Sequence, residues 1–397
     1  MDCKRLGLGL LLLAMPAAPA ARAAQAPAAP APAAVDFAAD AHLLYLVAGC
    51  GTGDLPANFP TAPRDEYCKW LLPKLEAYRK DYLGVAAPFF AAHRPKDLPP
   101  AAVYPFGGGD LLSALTTYPA AREFTTLSLE HAGDPRRLAG LDAERLGRSL
   151  TELQKRMRGL FAYAHDTSEN MIQMQRGDLP GQLAYFIVAL AAHGMEPSGL
   201  RFFRLNPDGS MHYMTKEDIA ADEEKMARSL NKVWKSPDFS EAFSNAELSY
   251  HPIGHPEDVR VHRHIATDLS NNHLRADPSV LRHLDAKGKV AAMTKAASYL
   301  MWGDGFSDIR DYLLTHMTFM VADSTGPSPT SARKAGFELE TYGRFTGTFI
   351  ASRKTVSDEY VELWKDEPYR ELPFRYGYPD AAHNSHLVLM RPAPARP

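Results

Sequence analysis

Apolar residues recur along this chain with two different periods, and the points where one gives way to the other outline its elements. Short apolar runs suited to strands begin at Val103, Phe124, Phe202, Val259, Met317, Phe337 and His386. Helical spacing predicts helices over 38–47, 143–164 and 181–192, the last ended by Gly194 with Pro197 beyond it. A further helix over 65–82 carries Trp70, Leu71, Leu75 and Tyr78 on one face. Residues 216–233 suit a polar, exposed helix, and 290–301 and 306–316 suit two more. Runs at 200–205 and 210–214 flank Asn206-Pro207-Asp208-Gly209, whose turn chemistry predicts a hairpin, and 246–251 is another strand.

The most informative stretch is an opening βαβ unit. A strand from Ala101 runs into Gly107-Gly108-Gly109-Asp110, then a helix over 111–117, then a strand over 123–129 that ends on Glu130. Glycines let the backbone turn tightly beside a ligand, the helix start offers unpaired N–H groups, and the acid after the second strand can accept a ribose-like hydroxyl. The pattern departs from G-x-G-x-x-G, and Pro105 removes one donor from the first strand. The expectation is one α/β domain over 37–392: a doubly wound, mostly parallel seven-stranded sheet, Rossmann-like with a methyltransferase-like strand order, carrying helical insertions. Fold alone says nothing of methyl transfer.

The N-terminus changes the picture of where this domain works. Lys4 and Arg5 precede an apolar run over 6–15 and small residues ending at Ala23 and Ala24, the pattern of a secretory signal peptide over 1–23. An Ala/Pro-rich tether over 24–36 follows. No later run has the roughly eighteen apolar residues of a membrane span, so the expectation is an exported bacterial protein, periplasmic or secreted. Cys3 falls inside the signal, which leaves Cys50 and Cys68 as an even pair for a disulfide in an oxidising compartment. A formal net charge of −3, with basic residues scattered rather than striped, argues against a nucleic-acid partner.

Candidate chemistry lies at the carboxyl ends of the strands, where open α/β sheets bind ligands. Gly107, Gly108, Gly109, Asp110, Glu130 and Asp268 are the expected ligand-binding set, with Asp323 on the same rim. Converging acids can bind a polar ligand or shift one another's protonation; alternatively each caps its own helix. His262 and His264, two apart on a strand, share a face as metal-binding pairs do, with His251 and His255 nearby; the competing reading is a histidine-rich surface beside a solvent-facing strand. Ser324 with His383 or His386 is a loose match to a hydrolase order, without a G-x-S-x-G elbow. The sequence names no cofactor, and S-adenosylmethionine, a cytosolic compound, is not expected outside the membrane.

Tyr104-Pro105-Phe106-Gly107-Gly108-Gly109-Asp110 resembles the Y-P-F-[SG]-G-x-D motif of a family of exported bacterial proteins of unknown function. Further pieces similar to that family are Thr267-Asp268-Leu269-Ser270, Lys295-Ala296-Ala297-Ser298-Tyr299-Leu300 and Phe306-Ser307-Asp308-Ile309-Arg310. Asp323-Ser324-Thr325-Gly326-Pro327 and Leu372-Pro373-Phe374-Arg375-Tyr376-Gly377-Tyr378 complete the set, although the family usually has Asp-Asp-Ser-Gly at the former. The resemblance runs patchily from Leu44 to Met390 and implies one exported domain, without catalytic residues to transfer. The functional expectation is a small polar ligand bound at the Gly-rich turn. The alternatives are a periplasmic hydrolase using the acidic rim, with or without a metal, and a non-catalytic envelope protein.

Overall fold

In the computed structural model, which describes residues 33–161, 178–228, 239–348, 354–377 and 380–394, the apolar runs assemble into a single ten-stranded sheet. The expected signal peptide and most of the tether, 1–32, lie outside the described residues. In chain order the strands are β1 (Ala101–Pro105), β2 (Glu123–Ser128), β3 (Met195–Leu205), β4 (Met211–Tyr213), β5 (Asn245–Pro252), β6 (Arg260–Ala266), β7 (Val290–Thr294), β8 (Met317–Ala322), β9 (Phe337–Gly343) and β10 (His386–Pro392). Their spatial order is β4-β3-β5-β6-β2-β1-β7-β8-β10-β9.

The five strands β6-β2-β1-β7-β8 run parallel, and the five remaining pairings are antiparallel. This corrects the expectation of seven mostly parallel strands. The 200–214 hairpin and the 246–251 run, inserted in the chain between β2 and β6, extend the sheet beyond β6. A two-strand hairpin with a short turn can only pair antiparallel. Asp208 Oδ1 accepts from Ser210 N–H at 2.9 Å within that turn, as its composition predicts.

The second correction concerns 290–301, expected as a helix. Its first five residues are β7, all buried, and a 3-10 turn over Ala296–Trp302 follows. A strand buried on both faces loses the period of two, and Val-Ala-Ala-Met is then indistinguishable from a short buried helix.

Helices cover both faces of the sheet. Along β1, Ala102 and Tyr104 enter one core while Val103 enters the other, and β10 divides in the same way, Leu387 and Leu389 against Val388 and Met390. The first core is roofed by α1 (Ala38–Ala48), α2 (Thr61–Ala77), α3 (Gly84–His93), α4 (Leu111–Thr117), α5 (Ala143–Phe161) and α6 (Gly181–Ala192). After the polar α7 (Lys216–Arg228), the second is roofed by α8 (Asn271–Ala276), α9 (Ser279–Asp285), α10 (Ser307–His316), α11 (Pro329–Lys334) and α12 (Lys354–Asp366). The amphipathic pattern of α5 accounts for its seat: Leu146, Leu150, Leu153, Met157 and Leu160 are buried at helical spacing. The predicted extensions of α5 beyond Phe161 and of α7 beyond Arg228 fall outside the described residues.

The described residues from Ala34 onward form one compact unit. Cys50, just after α1, is bonded to Cys68 in α2 with Cα atoms 5.6 Å apart, the pairing expected from the cysteine count. Among the described residues no helix is long and apolar enough to cross a membrane.

Candidate functional site

β1 lies inside the parallel part of the sheet, between β2 and β7, so its carboxyl end opens between two parallel neighbours. The turn that leaves it depends on glycine. A Cβ on Gly107 would stand 2.8 Å from Tyr104 Cγ, and Gly108 has φ +48, a left-handed conformation that glycine adopts freely. Asp110 then caps α4, its Oδ1 accepting from Ser113 N–H at 3.1 Å. Its other oxygen faces the site: Tyr104 donates to Oδ2 at 3.2 Å, and Lys295 Nζ lies 3.4 Å from it.

Lys295 follows the last residue of β7 and also donates to Ser113 Oγ at 3.2 Å. It is anchored from behind by Ser298, whose hydroxyl accepts from Lys295 N–H at 3.1 Å and reaches the Pro105 carbonyl at 3.3 Å. The next residue, Ala296, has φ +54 and directs its N–H at Asp323 Oδ2, 3.5 Å away. Asp323, the residue after β8, is fully buried and accepts from Thr325 N–H at 2.8 Å. Tyr376 closes the group, its ring 5.6 Å from Lys295 Nζ and its buried hydroxyl without a hydrogen-bond partner among the described residues. Burial, followed by the carboxylates of Asp110 and Asp323, pushes the Tyr104 and Tyr376 hydroxyls well above the ordinary tyrosine range, so both stay protonated donors. The Lys295 side chain is 18% exposed and reaches solvent.

The expected acids are distributed unevenly around this group. Asp110 and Asp323 stand on either side of Lys295 and Ala296. Glu130 is buried two residues past β2, where its carbonyl accepts from His264 Nε2 at 2.7 Å. Asp268 is exposed at the end of β6, two strands from β1, and its carboxylate accepts from Ser270 N–H at 2.8 Å, closing its own turn. Lys295 and Tyr376 were not among the expected site residues. Lys295 was hidden because the run before it suits a helix, and Tyr376 because a single tyrosine in an irregular segment carries no spacing signal.

The histidine pair does share a face, since His262 and His264 both meet the ring of Phe186 in α6. It is not on the surface: both are fully buried, which corrects the solvent-facing reading of β6. β5 shields one side of that strand and α6 its face. Thr126 Oγ1 bridges the rings, 2.9 Å from His262 Nε2 and 3.0 Å from His264 Nδ1. Burial holds both histidines below the ordinary value, His264 at about 4, hence neutral. His251 instead lies 3.7 Å from Glu196 and exposed His255 lies 3.2 Å from Glu257. Among the described residues no group of three His, Cys, Asp or Glu is arranged to hold a metal.

Ser324 Oγ lies 2.9 Å from His386 Nε2, and His386 Nδ1 lies 3.2 Å from the Asn384 carbonyl. Donation from Nδ1 to that carbonyl leaves Nε2 as the acceptor for the serine proton. Burial depresses His386, which stays neutral. Both side chains are buried, and Phe345 and Trp364 pack on the imidazole with ring centroids at 4.8 and 5.7 Å. His383 stands apart from this pair on a bend over Asp380, with its N–H 3.0 Å from the Asp380 carbonyl.

Comparison with known protein families, characterised proteins and solved structures finds no match to this chain.

Proposed function

We propose that this is an exported, non-membrane protein that binds a small polar ligand where the Gly107–Asp110 turn meets Lys295 and Tyr376. The observation that carries the reading is the Tyr376 hydroxyl, buried without a partner among the described residues and beside a cation and two carboxylates. An unsatisfied buried hydroxyl costs about 1–3 kcal/mol, a penalty that a bound polar group would remove. Lys295 supplies a charge at the solvent side, Asp110 and Ser113 orient it, and Tyr104 holds Asp110. Backbone strain supports the same location. Among the described residues four non-glycine positions have left-handed φ, and two of them, Phe106 at +59 and Ala296 at +54, flank this group.

The doubly wound reading of the sheet belongs to this proposal. It is supported by the order β6-β2-β1-β7-β8-β10-β9, with β10 antiparallel between β8 and β9 and helices on both faces. β3, β4 and β5 then extend a methyltransferase-like arrangement. Membership of the exported Y-P-F family is likewise proposed. Its support is that pieces far apart in sequence, holding Tyr104 and Asp110, Lys295, Asp323 and Tyr376, meet at one place, while Phe106 touches Phe306 of a further piece with ring centroids 5.8 Å apart.

Thermal shift of the mature protein against sugars, nucleosides, organic acids and phosphates tests the reading. At least one class should raise the melting temperature with concentration, as linkage requires. That rise should vanish in Lys295→Met and shrink in Tyr376→Phe, whose unliganded stability should match or exceed wild type because an unsatisfied hydroxyl is gone. A shift retained in Lys295→Met places the ligand elsewhere. The Ser324–His386 contact favours a hydrolase as the second reading. Covalent labelling of Ser324 by a fluorophosphonate, absent in His386→Ala, would promote it over the first.

A further inference from the structure

A cleft of about 430 Å3 lies outside this group, between the end of α2, the end of α5 and residues 373–375. Its floor is a continuous run of aromatic rings. Tyr78 stacks on Tyr82 at 5.3 Å, Phe161 lies 6.0 Å from Tyr78, and Phe374 meets Tyr82 edge-on at 5.7 Å. Trp70 forms a further wall, with the Arg158 guanidinium 6.0 Å from its ring centroid. Lys74, Arg158 and Arg375 line the cleft against one acid, Asp81. Among the described residues none of these three cations is paired with a carboxylate, whereas Arg145, Arg148 and Arg156 on the same α5 all are.

The helix is rebuilt where it borders the cleft. Between α2 and α3 the chain makes a π-helical stretch over Tyr78–Leu83, closed by Gly84 N–H on the Arg79 carbonyl. Such turns are rare and occur often at functional sites. This one widens the helix and supplies Tyr78, Asp81 and Tyr82 to the lining. The Tyr78 hydroxyl is tied to Thr116 Oγ1 at 2.7 Å, which fixes its buried ring in the cleft lining.

We propose that this cleft binds a small organic acid with a flat apolar body, an aryl or cyclic carboxylate. The volume falls within the range of roughly 300–1,000 Å3 usual for small-molecule sites. The rings give a planar body offset-stacked and edge contacts. A guanidinium is the side chain best suited to grip a carboxylate through two parallel hydrogen bonds. The excess of cations over Asp81 draws an anion in and disfavours a cation. The site is separate from the Lys295 group: Phe374 and Arg375 face the cleft, and Tyr376, the next residue, packs on Lys295.

Calorimetric titration of the mature protein with 2-naphthoate, 2-naphthylmethanol and inorganic phosphate tests the assignment. The expected result is saturable 2-naphthoate binding at one site, with the neutral alcohol weaker by about tenfold or more. Arg158→Gln/Arg375→Gln, altered only at exposed side chains, should keep its circular dichroism and melting temperature yet lose about tenfold or more in naphthoate affinity. Lys295→Met should bind naphthoate as wild type does. Absence of saturable naphthoate binding would overturn the proposal. So would equal affinity for the neutral alcohol, equal affinity for phosphate alone, or unchanged affinity in the double variant.

Discussion

At the scale of single residues, the candidate site is governed by conformations that few residues tolerate. Gly108 sits at φ +48 within the turn that positions Asp110 over α4. An L-residue pays about 1–2 kcal/mol to enter that region, and a β-branched one more. Gly108→Val should therefore lower the unfolding free energy by about 2 kcal/mol or more in urea titration. Wild-type stability in that variant would show that the turn adapts freely. The glycines and the capping aspartate were legible in the sequence because their requirement is local: tight turning, then an orphan N–H to satisfy. Lys295 and Tyr376 were not, because what makes them matter is a partner some 185 residues away for the first and, among the described residues, an absent partner for the second.

At the scale of elements, the chain shows where pattern suffices and where it fails. The disulfide between Cys50 and Cys68 closes a loop of sequence separation 18. Chain entropy assigns such a loop about 3 kcal/mol, so Cys50→Ser/Cys68→Ser should lose about that much stability in urea titration, as should the reduced wild type. A loss under about 0.5 kcal/mol would mean that the packing of Tyr67 and Leu71 around the bond already holds α2 in place. The hairpin and the C-terminal end of α6 followed their turn and capping residues. β7 did not, because burial on both faces erased its alternation.

The sheet also carries a row of alternating charge that no local pattern announced. Arg201 on β3, Glu247 on β5 and Arg263 on β6 lie in register, and Arg263 also reaches Glu123 on β2 at 2.5 Å. Burial raises Glu247, but hydrogen bonds from Tyr213, Arg201 and Arg263 outweigh it and hold the carboxyl below its ordinary range. Read along the chain, these are four isolated charges.

At the scale of the whole molecule, burying histidines ties stability to pH. Desolvation holds His193, His264 and His283 at about 4 and His262 well below its ordinary value. The unfolded chain takes up these protons near pH 6.5, whereas the folded protein resists until about pH 4. Stability is thus fully present above pH 6.5 and falls as pH drops through this window. The melting temperature should decline steadily from pH 7 to pH 4. In an NMR titration the His264 ring should protonate with a midpoint near 4. A midpoint near 6.5 would mean that solvent reaches β6.

What the sequence by itself determined is what a few consecutive residues decide. These are the Gly-rich turn into a capped helix, the Asn-Pro-Asp-Gly hairpin, the C-terminal end of α6 and the one cysteine pair left after the apolar N-terminal run. Each follows from backbone sterics, orphan hydrogen-bonding groups or loop closure over a short span. The tertiary structure alone decided that the sheet has ten strands with antiparallel flanks. It also decided that Asp110 and Asp323 stand beside Lys295 and Ala296 while Asp268 closes its own turn, and that His262 and His264 are core residues. Those outcomes depend on which strands become neighbours. β1 pairs with β7 across nearly two hundred residues, and the contacts that select that pairing are made only once both faces of the sheet are covered.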